Sequence, residues 1–170
     1  MRPLLPSIIH DTQSGFLQDR SIFDNIFLFS EMITLAQHHK QSLAIQLLDF
    51  EKAYNKVDWD FLEAVLLRLG FPIAWIKGVS ALYRHASSSI LFSGGNGTLF
   101  PNSRYVRQGY PLAPFLFILF GEALSSFLIF STTTIQPIVL PIANLTVLDV
   151  EFVDGTTFYI RGDVINLDRV

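Results

Sequence analysis

Two aspartates, each at the end of a short apolar segment or inside one, could together hold a metal ion. Asp49 closes the run SLAIQLLDF over residues 42–50, and Asp154 interrupts the run EFVDGTTFYI over residues 151–160. An ionised carboxylate is costly to bury unless it is paired or binds a cation. Two such groups could converge in one sheet and share a divalent ion. Oxygen ligands suit magnesium, which keeps several waters and is often completed by substrate phosphates.

Both aspartates also have a simpler interpretation as turn residues. Asp-Gly between alternating apolar residues is a strong hairpin signal, so Asp154 and Gly155 could form the turn itself. Asp49 could begin a turn and pair with Lys52 or Lys56. Spacing alone favours these interpretations, and it leaves the metal site open as the alternative.

A third segment, RYVRQGYPLAPFLF over residues 104–117, has features that suit a phosphate or a nucleotide. Arg104 and Arg107 come just before a Gln-Gly pair and an apolar helix that starts at proline. Glycine lets the backbone approach a ligand closely, and a helix N-terminus attracts negative charge. Because glycine and proline are common at helix starts, this segment alone is weak evidence for a binding site.

The rest of the sequence predicts the elements that position these residues. Helical spacing and turn signals predict helices over 21–39, 57–70, 72–85 and 112–129, a strand over 42–50, and hairpins over 87–109 and 145–160. Residues 131–149 show no assignable periodicity. Ser21 with Asp24 is the predicted capping pair of the first helix, and Asp58 is the predicted cap of the second. The predicted core faces of these two helices are Ile22, Ile26, Phe29, Ile33 and Ala36, and Phe61, Val65, Leu66 and Leu69. This order predicts an α+β domain with a mostly antiparallel sheet covered by helices on one face.

Composition sets limits on the class of protein. The 170 residues predict one domain, and 16% of them are charged, against about 25% in ordinary soluble domains. The net charge of −3 gives no general signal for nucleic-acid binding, and the absence of cysteine excludes disulfides. Residues 111–130 are long enough to span a membrane, but Glu122 and two prolines favour a buried helix. The N-terminus lacks a secretory signal, so a nuclear or cytoplasmic location is expected.

Four motifs resemble the reverse transcriptases of LINE-type (non-LTR) retrotransposons, most closely those of plants. QSGFLQDRSIFDNI is similar to the family's finger segment, and LDFEKAYNKVDW is similar to polymerase motif A. The hairpin leading into RQGYPLAPFLF resembles motif B, and FVDGTT resembles motif C, which is usually FADDTT. The resemblance implies a polymerase palm with part of the fingers. It assigns residues 1–41 to the finger segment and 42–170 to the palm, in a partial, truncated domain.

The resemblance also implies a catalytic site for an RNA-directed DNA polymerase. Asp49 and Asp154 match the catalytic aspartates that bind two magnesium ions, helped by the backbone carbonyl of Phe50. Tyr54 matches the residue that stacks beneath the incoming sugar and excludes a 2′-hydroxyl. The partners implied are an RNA template, a DNA primer and deoxynucleotide triphosphates. Nucleotide-binding roles fall on four further residues, Arg20, Arg107, Gln108 and Gly109.

The sequence departs from the family pattern in ways that affect activity. Gly155 replaces the second aspartate of motif C and supplies no ligand atom, and Asn55 replaces the aspartate after Tyr54. The finger strands before residue 1 and the thumb after motif C are expected to be missing from this chain. We therefore expect a copy with little or no polymerase activity. The alternative is a non-catalytic remnant of the palm that binds RNA or a protein.

Overall fold

The computed structural model describes residues 4–130, 137–140 and 145–162. The helices in these residues are α1 (Ile22–His38), α2 (Ala53–Lys56), α3 (Trp59–Arg68), α4 (Ile73–Ala81) and α5 (Ala113–Phe130), and a short 3₁₀ helix covers Leu5–Ser7. The strands are β1 (Leu43–Asp49), β2 (Ser87–Ser88), β3 (Leu91–Phe92), β4 (Gly95–Asn96), β5 (Phe100–Pro101), β6 (Ile138–Leu140), β7 (Leu145–Val147), β8 (Asp149–Phe152) and β9 (Gly155–Arg161).

The chain divides into two compact units. The first unit combines Met1–Glu51 with Gly121–Val170, and the second is the continuous segment Lys52–Phe120. The predicted mixture of helices and antiparallel strands is confirmed.

An antiparallel three-stranded sheet forms the centre of the first unit, in the order β1–β9–β8. Strand β9 pairs along all of β1, from Leu43 opposite Arg161 to Asp49 opposite Gly155. On its other side β9 forms a hairpin with β8, which ends with Phe152 opposite Gly155. The predicted strand over 42–50 and the predicted C-terminal hairpin are therefore confirmed.

Helices cover this sheet on both faces, so the expectation of one covered face was wrong. On one face Met32 and Ala36 of α1 pack with Val150 and Tyr159 of the sheet. On the other face Leu124 of α5 packs against a cluster of buried residues, Leu148, Phe158 and Ile160. The reason is the alternation of β9, in which Phe158 and Ile160 point one way and Tyr159 the other. Both sides of that strand are apolar and require cover.

Helix α1 begins and ends close to the predicted limits, but only part of its predicted face is buried. Ser21 Oγ accepts from the backbone N of Phe23, and Asp24 accepts from Ser21 N at 2.8 Å, which confirms the predicted capping pair. The sheet packs on Met32 and on Ala36, which confirms the prediction for Ala36, whereas the predicted Ile22, Ile26 and Phe29 are exposed and Ile33 is half-buried. The helix is apolar on more than one side, so spacing alone could not identify the buried face.

Helix α3 in the second unit is capped as predicted. Asp58 Oδ1 accepts from the backbone N of Phe61 at 2.9 Å. Its buried residues are Trp59, Leu62, Val65 and Leu66. The predicted core residue Phe61 is instead 47% exposed, and Leu69 is half-buried.

The hairpin predicted over 87–109 is formed by two short antiparallel pairs, β2 with β5 and β3 with β4. Its strands end at Pro101, well before the predicted limit. Residues 131–149, which had no assignable pattern, contain the antiparallel pair β6 and β7 and the start of β8. Residues 131–136 and 141–144 lie outside the described part of the chain.

Candidate active site

The two predicted metal-binding aspartates lie at the same end of the β1–β9–β8 sheet. Asp49 is the last residue of β1 and is opposite Gly155 in the register of the sheet. One residue further on, Phe50 N donates to the backbone O of Asp154 at 3.4 Å. Asp49 is exposed and Asp154 is half-buried, so these carboxylates stand at an open end of the sheet rather than in its core. The sheet thereby brings Asp49, Phe50 and Asp154 together.

The turn between β8 and β9 differs by one residue from the Asp-Gly turn that the sequence suggests. Its two central residues are Val153 and Asp154, and Gly155 already belongs to β9. Val153 has φ +59°, a left-handed conformation that is unfavourable for a β-branched residue. Asp154 is therefore at the tip of the hairpin, where a carboxylate can reach solvent or an ion.

The backbone conformation at position 155 does not require glycine. Its φ lies outside the left-handed region, and a Cβ built on it would meet only the Phe152 carbonyl oxygen, at 3.6 Å. That is an ordinary van der Waals distance. An aspartate at this position would fit the backbone without strain.

A cluster of three buried carboxyl groups lies beneath this turn, and the sequence interpretation did not identify it as a unit. Glu151 and Asp149 alternate on one face of β8, and Glu122 comes from α5. All three are buried, with exposed fractions of 4% for Glu151, 2% for Asp149 and 8% for Glu122. Ser125 Oγ donates to Glu151 Oε1 at 2.9 Å and is 3.3 Å from Asp149 Oδ2. Because Asp149 and Glu151 are both buried, neither carboxylate reaches solvent to replace the one that Gly155 lacks.

Burial changes the acidity of these groups. Desolvation, followed by the nearby charge of Asp149, raises the pKa of Glu151 to about 7. Desolvation also raises the pKa of Asp149 and of Glu122, although His10 opposes the rise in both. The backbone N of His10 donates to Glu122 Oε2 at 2.9 Å. The alternation of Asp149 and Glu151 in an apolar run was the sequence signal for this cluster.

Four of the predicted nucleotide-binding residues belong to the second unit. The Tyr54 ring stacks on Phe117, with ring centroids 4.7 Å apart and planes inclined by 18°. The Tyr54 carbonyl accepts from Val106 N at 2.7 Å, which ties the motif A segment to the segment before motif B. Gln108 is exposed, and Gly109 has φ +87°, so this position requires glycine for its conformation.

Arg107, the fourth of these residues, is exposed and lies against a neighbouring ring. Its guanidinium carbon is 4.8 Å from the centre of the Tyr110 ring, and Nη1 donates to the Tyr110 hydroxyl at 2.9 Å. The contact holds the side chain against Tyr110 by a cation–π interaction.

Arg20, in the first unit, holds a loop. Its Nη1 donates to the carbonyl oxygens of His10 at 2.6 Å and Gln13 at 2.8 Å, and its Nη2 pairs with Asp11 at 3.1 Å. Its side chain is 15% exposed. The phosphate-facing role suggested for Arg20 stays a prediction.

Within 4–130, 137–140 and 145–162, no group of three or more His, Cys, Asp and Glu side chains is arranged to hold a metal ion. In the same ranges no helix has the length and apolar character needed to cross a membrane, and this includes α5.

Comparisons with known proteins agree on one family. The family model for reverse transcriptase (RNA-dependent DNA polymerase) matches residues 1–159. The "Transposon TX1 uncharacterized 149 kDa protein" of Xenopus laevis is 28% identical over 169 residues, which are 99% of this chain and 13% of that protein. The Pol polyprotein of the type-2 retrotransposable element R2DM of Drosophila melanogaster is 29% identical over 66% of this chain and 11% of its own length.

Solved structures show the same fold. Apo telomerase of Candida tropicalis, truncated from its C-terminal domain, superposes with a TM-score of 0.65 at 15% identity, over 98% of this chain and 33% of that chain. The same enzyme with a TWJ fragment of telomeric RNA gives a TM-score of 0.63 at 13% identity, over 90% of this chain and 26% of that chain.

The TX1 and R2 relatives are from a frog and an insect, so the likeness to plant elements stays a prediction. The chain spans about an eighth of the length of the TX1 protein and a smaller share of the R2 protein. Motif content, the family model and the fold all agree, and the chain belongs to the reverse transcriptase family of the non-LTR retrotransposon type.

Proposed function

We propose that this chain is the RNA-directed DNA polymerase domain of a retroelement, with a metal site that one substitution has left incomplete. The observation that carries the proposal is the register of β1 with β9, which brings Asp49 opposite Gly155 and next to Asp154. Two aspartates more than a hundred residues apart thereby share one open sheet end, as the resemblance to motifs A and C implies.

The donors at this sheet end fit a hard divalent cation. Asp49 and Asp154 supply carboxylate oxygens and Phe50 supplies a backbone carbonyl, all of them accessible to water. Oxygen ligands with water completing the shell are what magnesium prefers. When bound, such ions lower the pKa of an attacking hydroxyl and stabilise the leaving group of an in-line displacement. A second ion would need the carboxylate that Gly155 lacks.

The second unit supplies the proposed nucleotide-binding residues. The Tyr54 ring, supported from one side by Phe117, offers a flat surface on which an incoming deoxynucleotide sugar can rest. Arg107, with Gln108 and Gly109 after it, offers charge, a side-chain amide and an accessible backbone to the triphosphate and the base pair. Arg20 of the first unit belongs to the same proposed set. RNA as template is supported by the matching family model, which describes an RNA-dependent DNA polymerase.

The missing carboxylate is the reason to propose that the present chain is inactive. Gly155 removes a negative charge from a site that must hold divalent cations beside a triphosphate. In water, one charge next to a divalent ion at about 4 Å contributes about 2 kcal/mol. This corresponds to about 30-fold in metal affinity. The value for water is a lower limit, because Asp49 is exposed whereas Asp154 and Gly155 are half-buried.

Manganese titration followed by electron paramagnetic resonance tests the metal site without requiring catalysis. We expect Gly155→Asp to bind Mn²⁺ about 30-fold more tightly than the unmodified chain, since the backbone accepts the side chain without strain. The control is Gly155→Asn, which has the same shape without the charge. Equal affinities in all three chains would contradict the proposed site.

Primer extension on an RNA template then tests the reaction. The unmodified chain is expected to incorporate no deoxynucleotide with magnesium or manganese, and robust incorporation would contradict the proposal of inactivity. In any chain that extends the primer, Asp49→Asn and Asp154→Asn should each abolish incorporation. RNA binding without metal binding in the Gly155→Asp chain would instead favour a non-catalytic binding domain.

A further inference from the structure

The hairpin turn that carries Asp154 has a conformation that its own sequence does not favour. Val153 is in the left-handed region at φ +59°, where a β-branched side chain is too close to its own backbone. Turns of this kind ordinarily use glycine or asparagine. Contacts from elsewhere in the protein must therefore hold Val153 in place.

Gln13 makes these contacts from the finger segment. Its Oε1 accepts from Val153 N at 3.1 Å and from Gly15 N at 2.8 Å, and its Nε2 donates to Glu151 Oε2 at 3.0 Å. Gln13 is 1% exposed, so no water competes for these bonds. The amide orientation follows from its partners, because the reverse orientation would place an NH₂ group against two N–H donors.

The backbone around Gln13 lies directly against the same turn and strand. Ser14 N donates to the Glu151 carbonyl and Glu151 N donates to the Thr12 carbonyl, both at 3.0 Å. A Cβ on Gly15 would be 2.7 Å from both the N and Cγ2 of Val153, closer than real Cβ contacts allow. The finger segment is thus fixed to β8 on both sides of Gln13, through Thr12 and Ser14, and at Gly15 it lies directly against the turn.

We propose that Gln13 is a positioning residue for Asp154: its buried amide holds the strained Val153–Asp154 turn and so sets where the Asp154 carboxylate stands. This inference rests on the proposed metal-binding role of Asp154, but the effect of Gln13 on the turn can be measured without any metal. Gln13 acts on the turn backbone and makes no contact with the reacting groups.

Amide hydrogen exchange measured by NMR tests the effect on the turn. In Gln13→Met, we expect the Val153 amide to exchange roughly fivefold faster relative to the amide of Tyr159, because a typical hydrogen bond contributes about 1 kcal/mol. Tyr159 N is bonded to the Leu148 carbonyl at 2.8 Å in the same sheet and reports global stability. Ser125→Ala is the matched control, since it is fully buried and removes the other hydrogen bond to Glu151 without contacting the turn.

Gln13→Glu tests the acceptor oxygen of the amide separately from its NH₂ donor. It is also a conservative variant that can be used if Gln13→Met does not fold. Glutamate keeps an oxygen for Val153 N and Gly15 N but loses the donor to Glu151. We expect it to lower global stability while retaining the protection of Val153 relative to Tyr159. Selective loss of Val153 protection in this variant, or equal changes at Val153 and Tyr159 in Gln13→Met, would overturn the inference.

Manganese affinity in the Gly155→Asp chain tests the link to Asp154. Adding Gln13→Met should weaken Mn²⁺ binding about 10- to 100-fold, as loss of residues that orient metal ligands commonly does. Adding Ser125→Ala should leave it unchanged, and equal losses in the two double variants would contradict positioning by Gln13. If Gly155→Asp binds no Mn²⁺, the proposed metal site is wrong, whereas the exchange ratio still decides whether Gln13 holds the turn.

Discussion

Replacing Glu151 by glutamine should stabilise this protein at neutral and alkaline pH. The pKa of Glu151 is raised from 4.5 to about 7 because burial disfavours its charged form. Between these values the folded chain holds a proton that the unfolded chain has released. The free energy of unfolding therefore falls as the pH rises through this window. Multiplying the shift by 1.36 kcal/mol per pKa unit gives a loss of about 3 kcal/mol by pH 8.

The contacts of Glu151 allow glutamine to replace it. The glutamine oxygen can accept from Gln13 Nε2, as Glu151 Oε2 does at 3.0 Å. Its NH₂ can donate to Ser125 Oγ, which lies 2.9 Å from Glu151 Oε1. Because glutamine does not titrate, Glu151→Gln should match the parent near pH 5 and exceed its free energy of unfolding by up to about 3 kcal/mol at pH 8. The raised pKa values of Asp149 and Glu122 should leave the variant with a smaller slope of the same sign.

Urea unfolding at several pH values between 5 and 8, followed by circular dichroism, measures this difference. Glu31→Gln, at an exposed position of α1, makes the same change in formal charge and serves as the control. It should have no comparable effect. A parent chain whose stability rises from pH 5 to 8, or a Glu151→Gln curve parallel to the parent, would refute the reasoning.

Substitutions at three further positions test local structure through thermal or urea unfolding. Asp58→Ala should cost about 1 kcal/mol by removing the cap on Phe61 N, and Asp58→Asn should keep most of that stability; equal losses would argue against the cap. Gly109→Ala should destabilise by about 1–2 kcal/mol because φ there is +87°. Gly78→Ala, in open space within α4, should stabilise by about 0.5–1 kcal/mol, and the same sign at both glycines would contradict the backbone assignment.

Sequence reasoning identified the elements because their signals are local. The cap residues Ser21 and Asp58 and the alternation around β1 and β9 depend on neighbours a few positions away, and each prediction was confirmed. The motifs identified the family for a similar reason, because their order and content survive in a single chain.

The features that sequence reasoning missed depend on distant partners. Asp-Gly predicts a turn centred on Asp154 and Gly155, but Gln13, 140 positions from Val153, holds the turn one residue earlier. The carboxyl cluster joins Glu151 to Ser125 and Gln13, at separations of 26 and 138 positions. No periodicity within a short window can report such contacts. On α1 the burial of Ala36 was predicted correctly, but Met32 was missed because the position of the sheet, and not the spacing along the helix, decides which side chains are buried.

The pairing of β1 has a consequence for synthesis of the chain. Among the described residues β1 pairs with β9 alone, so an apolar strand complete at residue 49 waits until residue 161 has been made. At typical translation rates of about 5–20 residues per second, this interval is roughly 6 to 22 s. For that time the edges and apolar side chains of β1 have no partner within the sheet, which favours aggregation or chaperone binding. The strand that carries Asp49 is therefore prone to aggregation while the chain is being synthesised.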